Sequence, residues 1–189
     1  GLQTAQTATG LHPCDLELSA DGQTLYVANA NSDTVSVINT GTRAVTETIL
    51  VRPDPTFPYG SASTGLALSK DGSTLFVTSG GNNALAVVEL PNAQHTTSLL
   101  LGFLPTDWYP GAVVVDSNHL YVANVKGLGS RLGQPVTSSW QIGAHLGTAN
   151  KIPIPAAESL SKYTAQAFED GRVPYIRQTQ QSPLAGQPA

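Results

Sequence analysis

Leu18-Ser19-Ala20-Asp21-Gly22-Gln23-Thr24-Leu25-Tyr26-Val27-Ala28 returns fifty positions later, without a gap, as Leu68-Ser69-Lys70-Asp71-Gly72-Ser73-Thr74-Leu75-Phe76-Val77-Thr78. The register holds onward and sets Thr34-Val35-Ser36-Val37-Ile38 against Ala84-Leu85-Ala86-Val87-Val88. A third copy runs Ala112-Val113-Val114-Val115 and then Leu120-Tyr121-Val122-Ala123-Asn124, its turn shortened to Asp116-Ser117-Asn118-His119. A fixed period of this kind decides architecture before any single motif does. In the first copy Leu16 and Leu18 alternate with Asp15, Glu17 and Ser19, which predicts a strand with one buried face. Asp21-Gly22 supplies the positive-φ turn of a tight hairpin, and Leu25 and Val27 resume the alternation. After the polar turn Asn29-Ala30-Asn31-Ser32-Asp33, Val35 and Val37 mark a third strand and Val45 to Val51 a fourth. Four short antiparallel strands per repeat predict a propeller blade, so the chain reads as all-β.

The expected architecture is a partial β-propeller, two clear four-stranded blades plus an irregular third, with one C-terminal amphipathic helix. Residues 1–10 are the end of a preceding blade or an N-terminal arm, 11–55 a first blade, 56–106 a second, and 107–155 an irregular third blade with a long loop insertion. Lys151-Ile152-Pro153-Ile154 is a possible outer strand of that blade. Over 156–170 the period changes: Leu160, Tyr163, Ala167 and Phe168 fall on one helical face, Pro155 can precede the first turn and Gly171 can stop the helix. Residues 171–189, with Ser182-Pro183 and Gln187-Pro188, read as a linker-like tail. Blades bury their faces only against neighbouring blades, and closed propellers have typically four to eight. A wedge of this size is therefore expected to leave two apolar faces for missing sequence, a partner protein or further copies of the chain to cover.

Composition narrows the function classes. The chain has 189 residues, 40% of them hydrophobic and 12% charged, with a net charge of −4. That balance leaves no electrostatic footprint for nucleic acid. No apolar run approaches the ~20 residues that span a bilayer, so no membrane insertion is expected. Residues 1–10 lack the layout of a signal peptide. With no Met anywhere, Gly1 is not a translated start, and the chain is expected to be a processed product or a piece of something larger. The single Cys14 excludes an internal disulfide; just before the first strand, it reads as a small buried apolar residue.

Leu25-Tyr26-Val27-Ala28-Asn29, preceded by Ser-x-Asp-Gly and followed by Ser32-Asp33-Thr34-Val35-Ser36-Val37-Ile38, resembles the YVTN-type (YncE-like) β-propeller repeat, and Leu120-Tyr121-Val122-Ala123-Asn124 repeats its core. The resemblance covers roughly residues 11–126. Asp107-Trp108-Tyr109-Pro110, then Ala123 through Arg131, then 147–155 leading into Ala156-Ala157 and Tyr163-Thr164, is similar to the later propeller part of bacterial proteins that join such a propeller to an alkaline-phosphatase-superfamily phosphoesterase domain. That resemblance implies a periplasmic or extracellular protein. It also implies that the metal-binding and nucleophile motifs lie beyond Ala189, outside this chain.

Candidate sites are few. Lys126-Gly127-Leu128-Gly129-Ser130-Arg131 could form a backbone nest flanked by two cations, suited to phosphate or another anion, against the reading as a structural loop. Lys126, Gly127, Gly129, Ser130 and Arg131 are the candidate contacts, with Arg131 able to grip an anion through two prongs. Asn29, Asn31 and Asp33 place oxygens at alternate positions as calcium loops do, but Thr34 and Thr40 stand where such loops need Gly and a bidentate Glu; an ordinary turn is the favoured reading. His12, His95, His119 and His145 show no ligand spacing and read as turn or surface residues. Ser63 and Ser79 sit by strand turns with no evident base. Trp108 reads as a packing or rim residue rather than a ligand contact. No cofactor is implied. The expected function is a non-catalytic propeller segment, a binding or scaffold module of a larger envelope or secreted phosphoesterase-type protein; the alternative is a structural subunit that completes its propeller with other chains.

Overall fold

A computed structural model describes residue 2, residues 4–129 and residues 145–180. Within them three antiparallel sheets follow one another along the chain. Blade 1 consists of β1 (Pro13–Leu18), β2 (Thr24–Asn29), β3 (Thr34–Asn39) and β4 (Ala44–Leu50), paired in that order. Blade 2 repeats the meander with β5 (Leu66–Leu68), β6 (Thr74–Ser79), β7 (Ala84–Glu89) and β8 (Leu99–Pro105). Blade 3 has β9 (Trp108–Val115), β10 (His119–Gly127) and β11 (Thr148–Pro153), the last pairing where an outer strand was expected. The first strands β1, β5 and β9 lie next to one another, so the blades fan out from that side.

The repeated turn explains the repeated hairpin. Gly22 and Gly72 hold φ +70° and +71°, a conformation that glycine alone takes without cost. The Ser19 and Ser69 hydroxyls each donate to the Asp21 and Asp71 carboxylates at 2.6 Å, and the N–H groups of Gln23 and Ser73 donate to the same oxygens. These bonds hold both carboxyls below the ordinary Asp value, the serine hydroxyl contributing most. In the shortened third turn Asp116 accepts from the N–H groups of Asn118 and His119 and from the Tyr121 hydroxyl, which takes its pKa to about 2.

Alternation along each strand separates two faces, and each inner interface joins one face of a blade to the opposite face of the next. Tyr26, Val35, Val37 and Ile49 of blade 1 pack against Leu66, Leu75, Val77 and Val88 of blade 2. Phe76, Leu85 and Val87, from the other side of blade 2, pack against Val113, Leu120 and Val122 of blade 3. Each fully buried aliphatic side chain in these layers contributes about 1.5–3 kcal/mol. The helix α1 (Ala157–Asp170) covers the exposed edge of β8: Ala167 and Phe168 close the first interface from outside and Leu160 the second. The Thr164 hydroxyl meets the Phe103 N–H at 2.9 Å. A Cβ on Gly102 would run into that hydroxyl, so the close approach requires glycine there. Covering an edge strand in this way blocks its pairing with other chains.

Four expectations need correction. Leu16 and Leu18 do not bury one face of β1; Leu16 is 61% exposed, because that side of blade 1 meets only the short arm of residues 4–9 and no further sheet, whereas Leu66 in the same place on blade 2 is 4% exposed. Cys14 is likewise exposed rather than buried, its thiol reaching the His12 carbonyl at 3.4 Å. Tyr163 is 41% exposed, and Thr164 beside it makes the hydrogen bond to β8. Finally, the segment read as a linker-like tail contains a second helix, α2 (Val173–Thr179), started by Pro174 in its first turn and anchored by buried Val173. Arg177 pairs with Asp54 at 2.8 Å and ties α2 to the connection between blades 1 and 2. Residues 181–189 lie outside the described residues, and residues 4–9 form an arm without strand pairing that crosses the outer side of blade 1, where Val27 and Ile38 are buried.

Candidate binding surface at the loop end of the blades

One end of the wedge gathers the β2–β3 and β6–β7 turns, the chain entering each blade, and the start of the β10–β11 connection. Each entry point places a non-glycine residue in the left-handed region: His12 at φ +56°, Ala62 at +53° and Tyr109 at +62°. Such residues make up only a few per cent of non-glycine positions. Their recurrence at one place in three blades means that surrounding bonds impose the geometry. The turns supply those bonds, since Ala30 N–H donates to the His12 carbonyl and Gly80 N–H to the Ala62 carbonyl.

Asp33 is the strongest of these fasteners. Its fully buried carboxylate accepts from the N–H groups of Gly60 (2.9 Å) and Ala62 (3.0 Å) and pairs with Arg52 at 3.2 Å. Arg52 also donates to the carbonyls of Phe57 and Ser32, and its guanidinium lies 5.1 Å from the Tyr59 ring centre. Asn83, fifty positions on, shares the left-handed backbone of Asp33 and accepts from the Tyr109 N–H at 3.0 Å. Each therefore staples its own turn to the entry of the next blade. Asn29 donates to the Thr34 and Ser36 hydroxyls, and Asn124, at the same place in blade 3, donates to Thr148 and Asn150. Of the three residues weighed for calcium, Asn29 and Asp33 are thus turned to separate partners, and Asn31 is exposed. Among the described residues no group of three or more His, Cys, Asp or Glu side chains could hold a metal ion.

The Lys126 ammonium lies over two rings, 5.0 Å from the centre of Trp108 and 4.7 Å from that of Tyr109. Trp108 takes the His145 ring at its edge, 5.7 Å away. Gly127 and Gly129 hold φ +47° and +81°, and the Gly129 N–H closes a turn onto the Lys126 carbonyl at 2.7 Å. Ser130 and Arg131 lie outside the described residues. Trp108 is partly exposed beside this cluster; His12 lies in a bend ahead of β1, His95 in the β7–β8 connection, and His119 opens β10.

One pair of carboxylates escaped the motif search. Asp15 accepts from the Leu66 N–H at 2.8 Å, and Glu17 accepts from the Leu68 N–H, so two side chains of β1 cap the open edge of β5. Burial raises the Glu17 pKa, the Leu68 bond offsets part of the rise, and the Asp15 charge adds to it. Alternation showed them only as the polar half of a strand. The Asp33–Asn83 correspondence, by contrast, was present in the fifty-residue register.

No family model matches the chain, and no curated protein matches it. Solved structures do. A candidate 6-phosphogluconolactonase of Bacteroides fragilis is 21% identical with a TM-score of 0.54, over 64% of this chain and 34% of that one. Its counterpart from Bacteroides uniformis is 20% identical with a TM-score of 0.54, over 66% and 36%. The β-propeller domain of Cps50 (Swd1) from Myceliophteria thermophila is 14% identical with a TM-score of 0.50, over 88% and 44%. This chain thus spans only 34% to 44% of the length of these structures. At such identities the likeness bears on fold alone, and the fold it bears out is a partial β-propeller.

Proposed function

We propose that this chain is a non-catalytic β-propeller segment, a binding and scaffold module of a larger envelope or secreted phosphoesterase-type protein whose chemistry lies outside it. The observation that carries the reading is the contrast between equivalent positions on covered and uncovered faces. Tyr121 on the outer side of blade 3 is 37% exposed, whereas Phe76 in the same place on blade 2 is 2% exposed. Together with bare Leu16 at the edge of blade 1, this supports reading both ends of the wedge as surfaces that accept a further blade. The stapled loop end supplies the rigid surface on which a partner or neighbouring domain would be positioned. The phosphoesterase context and the periplasmic or extracellular location rest on the sequence resemblance.

Two measurements test the proposal. The isolated chain, assayed on aryl phosphates with added divalent metals, should give no turnover, and sustained metal-dependent turnover overturns the non-catalytic reading. A chain lengthened by one further repeat ahead of residue 11 should unfold at higher urea concentration, because each added blade contributes a new interface. An unchanged midpoint overturns the blade-accepting reading.

A further inference from the structure

Ser63 and Ser79 are fully buried, and neither hydroxyl has a hydrogen-bond partner among the described residues. A hydroxyl buried without a partner is destabilising, and native proteins leave few of them. These two share one place in the fold. The Gly80 N–H bonds to the Ala62 carbonyl and the Thr78 N–H to the Gly65 carbonyl, so Ser79 stands opposite residues 63 and 64 of the entering strand. Thr64 directs its hydroxyl to Thr78 and the Gly111 carbonyl, which leaves Ser63 and Ser79 as the pair without a bond. Blades 1 and 3 have the same arrangement with other residues, Pro13 opposite Asn29 and Pro110 opposite Asn124.

In blades 1 and 3 the asparagine amide crosses from the second strand to the third. Asn29 donates to the Thr34 and Ser36 hydroxyls, and Asn124 to the Thr148 hydroxyl and the Asn150 amide oxygen. Blade 2 lacks both ends of that bridge, since Ser79 replaces the asparagine and Ala84 and Ala86 stand where Thr34 and Ser36 stand. Serine for asparagine, serine for proline and alanine for threonine each give up volume at this point. A water takes about 30 Å³ and needs two to four polar partners. We propose that blade 2 holds one internal water here, bonded to the Ser63 and Ser79 hydroxyls, in the place that the asparagine amide fills in blades 1 and 3. Asn29 and Asn124 each keep a single amide oxygen without a partner, whereas blade 2 brings two hydroxyls together. Full burial withdraws both serines from any role as nucleophile and limits the occupant to a molecule of this size. The water joins the end of β6 to the strand entering blade 2, the same entry that Asp33 fastens through Gly60 and Ala62. It is independent of what covers the two outer faces.

Ser63→Ala and Ser79→Ala each delete one of the two bonds with little change of volume, so circular dichroism should show both variants folded. Deuterium relaxation dispersion of the whole chain, which counts long-lived internal waters, should report one fewer in each variant than in the parent. The urea midpoint should fall in each, because the remaining hydroxyl is left buried without its bridge. The double variant should lie no lower than either single one, since the first substitution has already released the water. A midpoint that rises or holds in the single variants shows that the hydroxyls were bare, and overturns the proposal. A midpoint that falls with an unchanged water count shows a direct bond between the serines and overturns it as well, as does a double variant in which the two losses add.

Discussion

Leu16 of blade 1 and Leu66 of blade 2 occupy the same place in two sheets that share strand order, turn chemistry and a fifty-residue register, and one is bare while the other is sealed. The sheets themselves do not differ in the way this contrast demands. What differs is the neighbour: blade 2 stands between two sheets, and blade 1 stands against one sheet and a short arm. An alternating strand encodes a face capable of burial, and burial is then conferred by whatever packs on that face. In a repeat fold, stability is accordingly held in interfaces as much as in blades.

The sharpest way to break this comparison is to truncate both members of the pair. Leu66→Ala should cost about 2–5 kcal/mol of stability in urea unfolding, since it opens a cavity in a filled interface. Leu16→Ala should stay within about 0.5 kcal/mol, as for other exposed positions. Equal costs would mean that blade 1 carries a cover that the fold does not show.

A smaller effect separates the two staples. Asp33→Asn keeps an acceptor oxygen for only one of Gly60 and Ala62, which bond to different oxygens, and leaves the largely buried Arg52 cation unpaired, so it should cost about 3 kcal/mol or more. Asn83→Asp retains the single bond to Tyr109 and should change stability by less than about 1 kcal/mol. If the two substitutions cost the same, charge pairing is not what distinguishes the first connection from the second.

The smallest effect concerns β1, where Glu17 stands at the place of Ala67 in β5. Burial raises the Glu17 pKa above its ordinary value of 4.5. A raised carboxyl contributes stability that is fully present below the unfolded value and is lost as pH rises through the folded one. Glu17→Gln should therefore raise the urea midpoint slightly at neutral pH and leave it unchanged well below 4.5. Asp116 has the opposite sign: held at about 2, its contribution is present above the unfolded value and is lost as pH falls through about 2. A gain from Glu17→Gln that grows on acidification would show that the Leu68 bond, not burial, dominates at this site.

Much of the fold was legible because its determinants are local and repeated. Asp21-Gly22 and Asp71-Gly72 announced two hairpins, and the Val/Leu alternation around them announced which residues share a face. The helix over 157–170 followed from spacing and from Gly171 as its stop. The second helix was not legible. Its seven residues follow Gly171-Arg172 in a Pro- and Gln-rich context, and its anchors, Val173 and the Arg177–Asp54 pair, are tertiary contacts. The candidate surface was half legible: Lys126, Gly127 and Gly129 could be picked out as cation and bends, but a string of residues does not show Trp108 and Tyr109 folding over the ammonium.

The division has a physical basis. Period, strand count, turn positions and the two-sidedness of each sheet follow from steric and hydrophobic preferences that act over a few residues, so the amino-acid sequence alone determined them. Which face of which blade is dry, where Asp33 finds its three partners, and why Cys14 is bare depend on contacts between residues far apart in the chain. Burial and pairing are properties of the neighbour, and only the tertiary structure decides who the neighbour is.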